Sequence, residues 1–577
     1  MLSGCRRRET QSQVERAAIQ KQLKAARGGA VKNQTSAVIT GGQIQIGDDQ
    51  GRPLYSVAAT QICALSGGEG GAPPSALATN ANAALFKDGR PETKIKADTI
   101  RAFTASPGAR LLAQGQVVAT SQSLTGAPVE VRAPRADVDV DKRVFVASGG
   151  VIATRQGVQL RAPQLRGQSS LQQLTAPDAL VRAPGTTMRA KTATFNWAAD
   201  RLSAQTVTAT REGVQLSGAR LDADTAVQRG TLTGQVVARA QNGTASGERM
   251  DFNWKKNQIF VPQATVSGQG GTATMESLST DSKLRVTDAR RVRARQNGAA
   301  LSVERARGFD NLTRISGDGV RLVRADLTLD AASAQVRDWS KTSATVVGTG
   351  GVRARNAQGT LTANRATWTG TSQSGRVEAS GNVVIVGAGG TVRGQSATSD
   401  ARFQNADLRG DVSGTLRDGT RFRGQGLQKR GEDLAASGGA SAVLPSGTQL
   451  RADSVRKNGN LVVATGDVRA NLPPQKGLGR VEVRAPRVEG PPDGAILTAS
   501  GGVTLTASNG TVVTAPRAVF DRARNQVTAT GGVTSRDAQG NTLRGDSLVA
   551  DLGLRQVVVN QGRGQAQSGS LNVKGLF

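Results

Sequence analysis

A short marker recurs along this chain of 577 residues: one or two small residues, then Gly, a small or polar residue, and Val. The terminal valines, looser copies included, are at 117, 151, 236, 320, 352, 383, 468, 503 and 533. Successive steps are therefore 34, 85, 84, 32, 31, 85, 35 and 30 residues. Because 85 is close to three units of about 28, degenerate copies are expected in the gaps, one of them near Gly438-Gly439-Ala440. Such a period predicts stacked repeats that cover one another.

The segment Leu497 to Asn560 shows what one repeat contains. Val503, Leu505 and Ala507 alternate with polar residues, Asn509-Gly510 follows, and another run with apolar alternation returns. Alternation with period two predicts a strand with one buried face, and Asn-Gly suits a tight hairpin turn. Residues 9–26 lack Gly and Pro and favour a short helix or tether. After residue 35 the pattern predicts only antiparallel strands, hence an all-β fold.

Composition removes most catalytic chemistry. The chain has no His and only two Cys, so histidine bases, imidazole metal sites and Cys-rich zinc sites are excluded. The carboxylate pairs Asp48/Asp49 and Asp137/Asp139 have no accompanying base or phosphate loop. We therefore expect no enzyme, no catalytic residue, no metal and no cofactor. Aromatic residues make up only 3% of the chain, so Val, Ala, Leu and Ile must form a thin apolar layer.

The net charge of +30, from 74 basic and 44 acidic side chains, favours an anionic partner such as a phosphate, a lipid headgroup or a nucleic acid. Arg greatly outnumbers Lys, which a GC-rich genome would also produce without selection for binding. Basic residues are dispersed along the sequence and are not interleaved with stacking aromatics, so nucleic acid is not expected as a partner.

The first residues, Met1-Leu2-Ser3-Gly4-Cys5, resemble a bacterial lipobox, in which the cysteine receives a lipid. The hydrophobic stretch that a secretory signal carries before its cleavage site is absent. We therefore expect a true start upstream and a lipid anchor at Cys5, with chance as the alternative. Cys63 lies in an apolar stretch and is expected to be a small buried residue.

The order of these motifs resembles a known family. AlaSerGlyGlyVal, a strand, Asn-Gly, a strand with Ala-Pro-Arg, and AlaThrGlyGlyVal resemble the OstA-like (LptA) repeat of lipopolysaccharide-transport bridge proteins. The runs Ile44 to Ala59 and Leu85 to Asp98 resemble the first hairpins of the periplasmic LptC family. The likeness is strongest over 36–165 and 345–555. This chain is about three times as long as one such domain.

The resemblance implies an elongated, open β-jellyroll whose two antiparallel sheets enclose an apolar groove for acyl chains. It divides the chain into a lipobox-like start and tether (1–34), an LptC-like part (35–200) and OstA/LptA-like repeats (201–577). The implied protein is periplasmic and not an enzyme. Its implied partners are lipopolysaccharide or another anionic glycolipid, the inner-membrane ABC exporter, and other OstA-like bridge proteins or an outer-membrane translocon that docks strand edge to strand edge.

Two groups of side chains are candidates for the site of such a protein. The candidates for the lipid groove are Val151, Val352, Val383, Val503, Val533, Phe145, Phe195, Phe252 and Phe520. The alternative is that they fill a closed core, because alternation identifies a buried face and not a lumen. The candidates for phosphate contacts at the groove rim are Arg132, Arg135, Arg451, Arg484, Arg487 and Arg517. Solvated positions on an outer face are the alternative for these.

The main rival fold is a right-handed β-helix, as in surface adhesins or structural passenger domains. Coils of that kind are usually shorter than 30 residues and do not need hairpin Asn-Gly turns. A nucleic-acid binder would lose affinity steeply between low and moderate salt, whereas retention of acyl chains would persist.

Overall fold

The computed structural model describes residues 38–565 except 66–74, 104–107, 123–126, 242, 269–270, 311, 326, 340, 342, 372, 474–478 and 562. Every regular element in these residues is a β-strand, and no helix long and apolar enough to cross a membrane occurs among them. The strands belong to two compact units: the described residues up to 266 with 277–285, and residues 267–276 with those from 286 onward. The predicted tether and Cys5 lie outside the described residues.

The first unit is built from fifteen strands, and the following strand, β16 (Gly271–Thr280), is shared between the units. The fifteen are β1 (Val38–Gly47), β2 (Pro53–Leu65), β3 (Ser75–Lys87), β4 (Arg90–Phe103), β5 (Arg110–Ser121), β6 (Glu130–Asp139), β7 (Val144–Arg155), β8 (Val158–Gln168), β9 (Gln173–Ala183), β10 (Thr186–Asn196), β11 (Arg201–Arg211), β12 (Val214–Ala223), β13 (Arg229–Ala240), β14 (Gly243–Asn253) and β15 (Gln258–Gly268).

The second unit has eighteen strands of 10 to 12 residues, followed by two short ones. They are β17 (Val286–Gln296), β18 (Ala299–Asp310), β19 (Arg314–Arg324), β20 (Leu327–Arg337), β21 (Thr345–Arg355), β22 (Gly359–Thr369), β23 (Arg376–Gly387), β24 (Gly390–Asp400), β25 (Asn405–Leu416), β26 (Arg421–Arg430), β27 (Asp433–Val443), β28 (Gln449–Asn458), β29 (Leu461–Leu472), β30 (Val481–Gly490), β31 (Ile496–Ala507), β32 (Val512–Asp521), β33 (Gln526–Arg536), β34 (Thr542–Asp551), β35 (Val557–Asn560) and β36 (Arg563–Gln565).

Pairing among the described strands is antiparallel and joins neighbours in the chain, except that β34 pairs with both β35 and β36. The coils of a right-handed β-helix pair in parallel, so this arrangement excludes the rival fold. The predicted fold class, an open all-β jellyroll of stacked antiparallel strands, is confirmed for each unit. The division by family likeness at residue 200 stays a prediction.

Most strands bend once, near their middle, at a position that we call the corner. In β32 the buried residues are odd-numbered up to Ala515 and even-numbered from Ala518 onward. The strand therefore turns its other face to the interior between these two residues. The pairing register of β31 and β32 shifts at the same place, between Ser500 and Val503. Strands that pass from one sheet to another do so at bulges of this kind. Each strand therefore contributes to both walls around the apolar interior.

The corner explains why Gly-Gly and Ala-Pro-Arg occur together in the sequence. Gly501 has a φ of +90°, and a Cβ built on it would lie 3.2 Å from Cγ of Pro486 on the preceding strand. Gly531 stands in the same relation to Pro516, at 3.0 Å. Proline cannot donate to the sheet and is tolerated where the hydrogen-bond ladder is already interrupted. The glycine gives both the positive φ and the space that the proline ring fills.

The predicted degenerate repeats are present. All nine marker valines follow the corner on odd-numbered strands, and each step of 84 or 85 residues crosses two further odd strands. Four of those strands bend with a positive φ at a residue other than glycine, and the other two near Gly410 and Gly438. The four non-glycine residues are Asp178, Thr206, Gln263 and Arg291. A repeat of about 30 residues is therefore one pair of bent strands.

Candidate functional site

The nine apolar candidates all lie in the interior, and none is more than 4% exposed. The five valines follow the corner directly and form a layer at the bend. The four phenylalanines lie away from the corner. Each is one residue from the end of its strand, beside a turn of the kind that follows an even-numbered strand. Alternation predicts their burial, and the separation into two layers comes from the bend. Whether they contact an acyl chain stays a prediction.

The interior is bounded opposite the corner by two rows of turns. The turns that follow odd-numbered strands form the first turn row, and those that follow even-numbered strands form the second. No strand pairing among the described residues joins these rows. The rows instead meet through individual side chains along a line that we call the seam.

In the first unit, buried polar groups close the seam. Tyr55 Oη donates to the carbonyl oxygen of Phe103 at 3.0 Å, across the two rows. Thr93 Oγ1 donates to the carbonyl oxygen of Ser169 at 2.6 Å, and Ser169 Oγ donates to Glu92 Oε2 at 3.1 Å. Hydrogen bonds of this kind contribute about 0.5–1.5 kcal/mol each, so the closure is weaker than a continuous strand ladder.

Two arginines close the seam farther along the same unit. Arg155 Nη1 donates to the Trp197 carbonyl at 2.7 Å, and its guanidinium lies 5.9 Å from the ring centroid. Arg211 lies 5.2 Å from the ring of Trp254. Each indole packs on the phenylalanine two residues earlier in the chain, with centroids 4.6 and 5.1 Å apart. The buried Nε1 of both tryptophans has no acceptor among the described residues.

The second unit has a seam of its own, which is closed by side-chain N–H groups that donate to backbone carbonyls. Their donors lie 45 to 76 residues from their acceptors, so each bond joins separate hairpins. The donor and acceptor pairs are Asn356 Nδ2 with the Ala401 carbonyl (2.8 Å), Arg522 Nη1 with the Ser446 carbonyl (3.0 Å) and Asn509 Nδ2 with the Leu554 carbonyl (3.4 Å). An ion pair, Lys457 with Asp418 at 3.6 Å, spans the seam between them.

Burial perturbs the pKa of Tyr55 at the seam and that of Lys429 beside the second turn row. Desolvation, together with the Asp141 carboxylate, raises the pKa of Tyr55 to about 12. Desolvation lowers the pKa of Lys429, whose Nζ donates to the carbonyls of Phe403 and Gln404 at 3.2 and 3.0 Å. Both groups thus lie in a medium of low polarity.

The cavities beneath the seam are small. One of about 30 Å³ is lined by residues beside both turn rows of the second unit and by the buried Phe520 and Leu497. Another of about 10 Å³ lies beneath Arg211 and Trp254 in the first unit. These volumes accommodate a water molecule or so and not an acyl chain. An acyl chain can enter these places only if the walls separate.

A larger, open hollow of about 660 Å³ lies on the seam of the first unit. Lys87 and Arg90 border it from the first turn row, and Lys142 and Arg143 from the second. The buried Glu92 and Ser169 also line it. Sequence reasoning did not select these four cations, although basic residues in turns of both rows were the available signal. Lys142 pairs with Asp139 at 3.4 Å, and Asp88 lines the hollow as well, so its four cations exceed its two acids by two charges. This excess of positive charge favours anions at the entrance to the interior.

The six arginine candidates lie elsewhere. Three of them are exposed on the outer face between the first turn row and the corner, and the other three are exposed at the corner. The first three are Arg132, Arg451 and Arg484, and the corner ones are Arg135, Arg487 and Arg517. None of the six is at the seam, and their role as phosphate contacts stays a prediction.

The remaining candidates have local contacts. Cys63 is buried, and burial raises the pKa of its thiol. Hydrogen bonds from Arg52, first its backbone N–H, lower the pKa of Asp48 and fix a turn. Asp137 is bound by Arg110. No group of three His, Cys, Asp or Glu side chains among the described residues could hold a metal ion.

No protein-family model matches the chain. No curated protein matches it either. Among solved structures, the chain is similar to LptH, the LptA homologous periplasmic component of the lipopolysaccharide transport device from Pseudomonas aeruginosa. The identity is 16%, the match covers 21% of this chain and 95% of that chain, and the TM-score is 0.19.

Proposed function

We propose that this chain is a periplasmic carrier of lipopolysaccharide or a similar anionic glycolipid, and that acyl chains lie between the two walls of each unit. The observation that carries the proposal is an apolar interior bounded on one side by continuous bent strands and on the other by a seam without strand pairing. Such an interior can open along one line while every strand pair is kept.

The chemistry at the seam supports an amphiphile as the ligand. Opening exposes the valine and phenylalanine layers to acyl chains, for which burial of apolar surface is favourable by about 25 cal/mol per Å². The cations that border the hollow of the first unit, among them Lys87 and Arg143, suit phosphates or acidic sugars at the same line. The indole N–H groups of Trp197 and Trp254, which have no acceptor in the described ranges, can donate to ligand oxygens.

The place of the carrier in a pathway follows from the family resemblance of its sequence. In this proposal the chain receives its ligand from an inner-membrane ABC exporter and passes it to other OstA-like proteins or to an outer-membrane translocon. Exposed strand edges pair readily with further strands, which suits edge-to-edge docking. A lipid at Cys5 would hold the chain at a membrane.

Photo-crosslinking in cells tests the carriage of lipid. A photoreactive amino acid replaces Val151 or Val503, which face the interior, and in the matched controls it replaces Ile152 or Thr504, which face outward on the same strands. We expect glycolipid adducts at both inward positions and at neither control.

Two results would defeat the proposal. One is the absence of lipid adducts at both Val151 and Val503. The other is adduct formation of equal yield at the inward and outward positions, which would indicate contact with a membrane surface. Mass spectrometry of the adducts identifies the glycolipid.

A further inference from the structure

The outer face of the second unit carries a row of arginines that the sequence does not reveal. Following the pairing register from β17 to β34, one outward position on each of the 18 strands lies opposite the corresponding position on the next strand. Nine of these positions are arginine, and we call the 18 positions the arginine row. The arginines are Arg293, Arg321, Arg353, Arg393, Arg423, Arg451, Arg469, Arg484 and Arg544.

The other positions in the row are mostly small hydroxyl residues. They are Ser302, Asp330, Thr362, Val384, Ser413, Ser441, Thr504, Thr514 and Thr534. The row therefore contains one acidic residue against nine arginines. With strands about 4.8 Å apart, its 17 steps extend over roughly 80 Å.

Few of these arginines are neutralised. All nine are exposed, and three pair with acids: Arg321 with Asp330 at 3.7 Å, Arg469 with Asp467 at 3.4 Å and Arg484 with Glu482 at 2.7 Å. The other six form no ion pair with any residue that the structure describes. A single file of unpaired guanidinium groups attracts a linear anion more strongly than the same charges dispersed over the surface.

The side chains of the arginine row suit an acidic polysaccharide better than a nucleic acid or a membrane. Guanidinium groups bind carboxylates and phosphates in bidentate fashion, and the intervening hydroxyls can bond to sugar oxygens. Proteins bind single-stranded nucleic acids by stacking the bases on aromatic side chains, and the row has none. A row that crosses many strands of a twisted sheet cannot stay straight, so a stiff duplex fits poorly. The row is one side chain wide and Val384 is its only apolar member, so it has little apolar surface to insert into a membrane.

We propose that the arginine row binds the chain of an acidic polysaccharide, laid across the strands of the second unit. This inference does not depend on the carriage of lipid by the interior. It concerns the opposite face of the sheet and a ligand that needs no acyl chain.

The test uses the full chain and alginate, a linear polyuronate, with neutral dextran as the control ligand. The row variant replaces Arg393, Arg423 and Arg451 with Gln. The matched variant replaces Arg337, Arg409 and Arg456 with Gln. These three are also exposed and form no ion pair within the described part of the chain, but they lie outside the row. Because all six side chains are exposed, we expect both variants to keep the circular dichroism and melting temperature of the wild type.

The expected result is salt-sensitive binding of alginate and none of dextran, measured by calorimetry at several salt concentrations. The row variant should lose about tenfold in affinity, equivalent to about 1.4 kcal/mol, with a shallower salt dependence. The matched variant should lose less than threefold.

Equal losses in the two variants would overturn the proposal, because they would show that net charge alone attracts the ligand. Failure of the wild type to bind alginate at low salt would overturn it as well. Tighter binding of duplex DNA or of anionic phospholipid vesicles, lost in the row variant, would assign the row to that partner instead. Lipid adducts at Val151 and Val503 are unaffected by any of these outcomes.

Discussion

At the scale of single residues, the corner depends on glycine for two separate reasons. Gly501 and Gly502 both have φ near +90°, but only Gly501 faces a proline ring. Replacement of Gly502 with Ala should lower the local free energy of unfolding by about 1–2 kcal/mol, the penalty of the left-handed region. Replacement of Gly501 with Ala should cost more, because its Cβ also meets Pro486. Hydrogen exchange of β30 and β31 measures the difference, and equal losses would show that the proline contact contributes nothing.

The hydrogen bond with which Tyr55 closes the seam depends on pH, because only the neutral phenol can donate it. Tyr55 is the only tyrosine of the chain. Because the folded state raises its pKa to about 12, the neutral phenol stabilises the fold below pH 10. That contribution is lost as the pH rises from 10 toward 12. Replacement with Phe should cost about 1 kcal/mol below pH 10, for the lost hydrogen bond to Phe103, and should remove this alkaline loss. Phenolate absorbance titrates Tyr55 directly, and an ordinary pKa near 10 in the folded protein would contradict the closure.

At the scale of elements, the hairpin unit was predictable and its irregular copies were not. The Gly-Val markers predicted a period near 30 residues, and Asn509-Gly510 predicted a turn that the structure confirms. Asp178, Thr206 and Arg291 bend their strands without glycine, so no local signal marks them. Their conformation is imposed by strands before and after them, which already bend at the corner.

The proposed function requires the two turn rows to separate along the seam. A disulfide between the rows tests whether this opening is needed. A Cβ on Gly494 would lie 2.9 Å from that of Ser446 in the opposite turn row, so a shift of about 1 Å gives the Cβ separation of a disulfide. Gly494 has a φ of +65°, so a cysteine there carries the backbone penalty of the left-handed region, and the reduced variant is the reference that includes this penalty. In a chain without its native cysteines, we expect cysteines at 446 and 494, once oxidised, to abolish lipid adducts at Val503. Reduction should restore them.

The control for that experiment joins neighbouring strands without crossing the seam. Ser454 and Thr465 have hydroxyl oxygens 2.8 Å apart on β28 and β29, and cysteines there should leave the adduct yield unchanged. Loss of adducts with both disulfides would indicate general rigidity. Undiminished adducts with the seam disulfide would mean that lipid enters by another route.

At the scale of the whole molecule, charge opposes folding. A net charge of +30 repels itself in the compact state, and salt screens that repulsion over about 10 Å at 0.1 M. We therefore expect the melting temperature to rise by a few degrees between 10 and 150 mM sodium chloride. Sucrose of the same osmolality is the control for an excluded-solute effect. A fall in melting temperature with salt would show that ion pairs such as Arg110 with Asp137 outweigh the repulsion.

The sequence by itself determined the all-β class, the hairpin period and the burial of residues such as Val503 and Phe520, because alternation and turn chemistry are local properties. It could not place the seam, since Asn356 and Ala401 become neighbours only when separate hairpins stack. Nor could it show the arginine row. Arg393 and Arg423 lie 30 residues apart in the sequence, and they align only because both are paired with Ser413 on the strand between them. Contacts between distant residues depend on how every intervening strand bends and pairs, so the tertiary structure alone decided which residues lie at the seam and which form the arginine row.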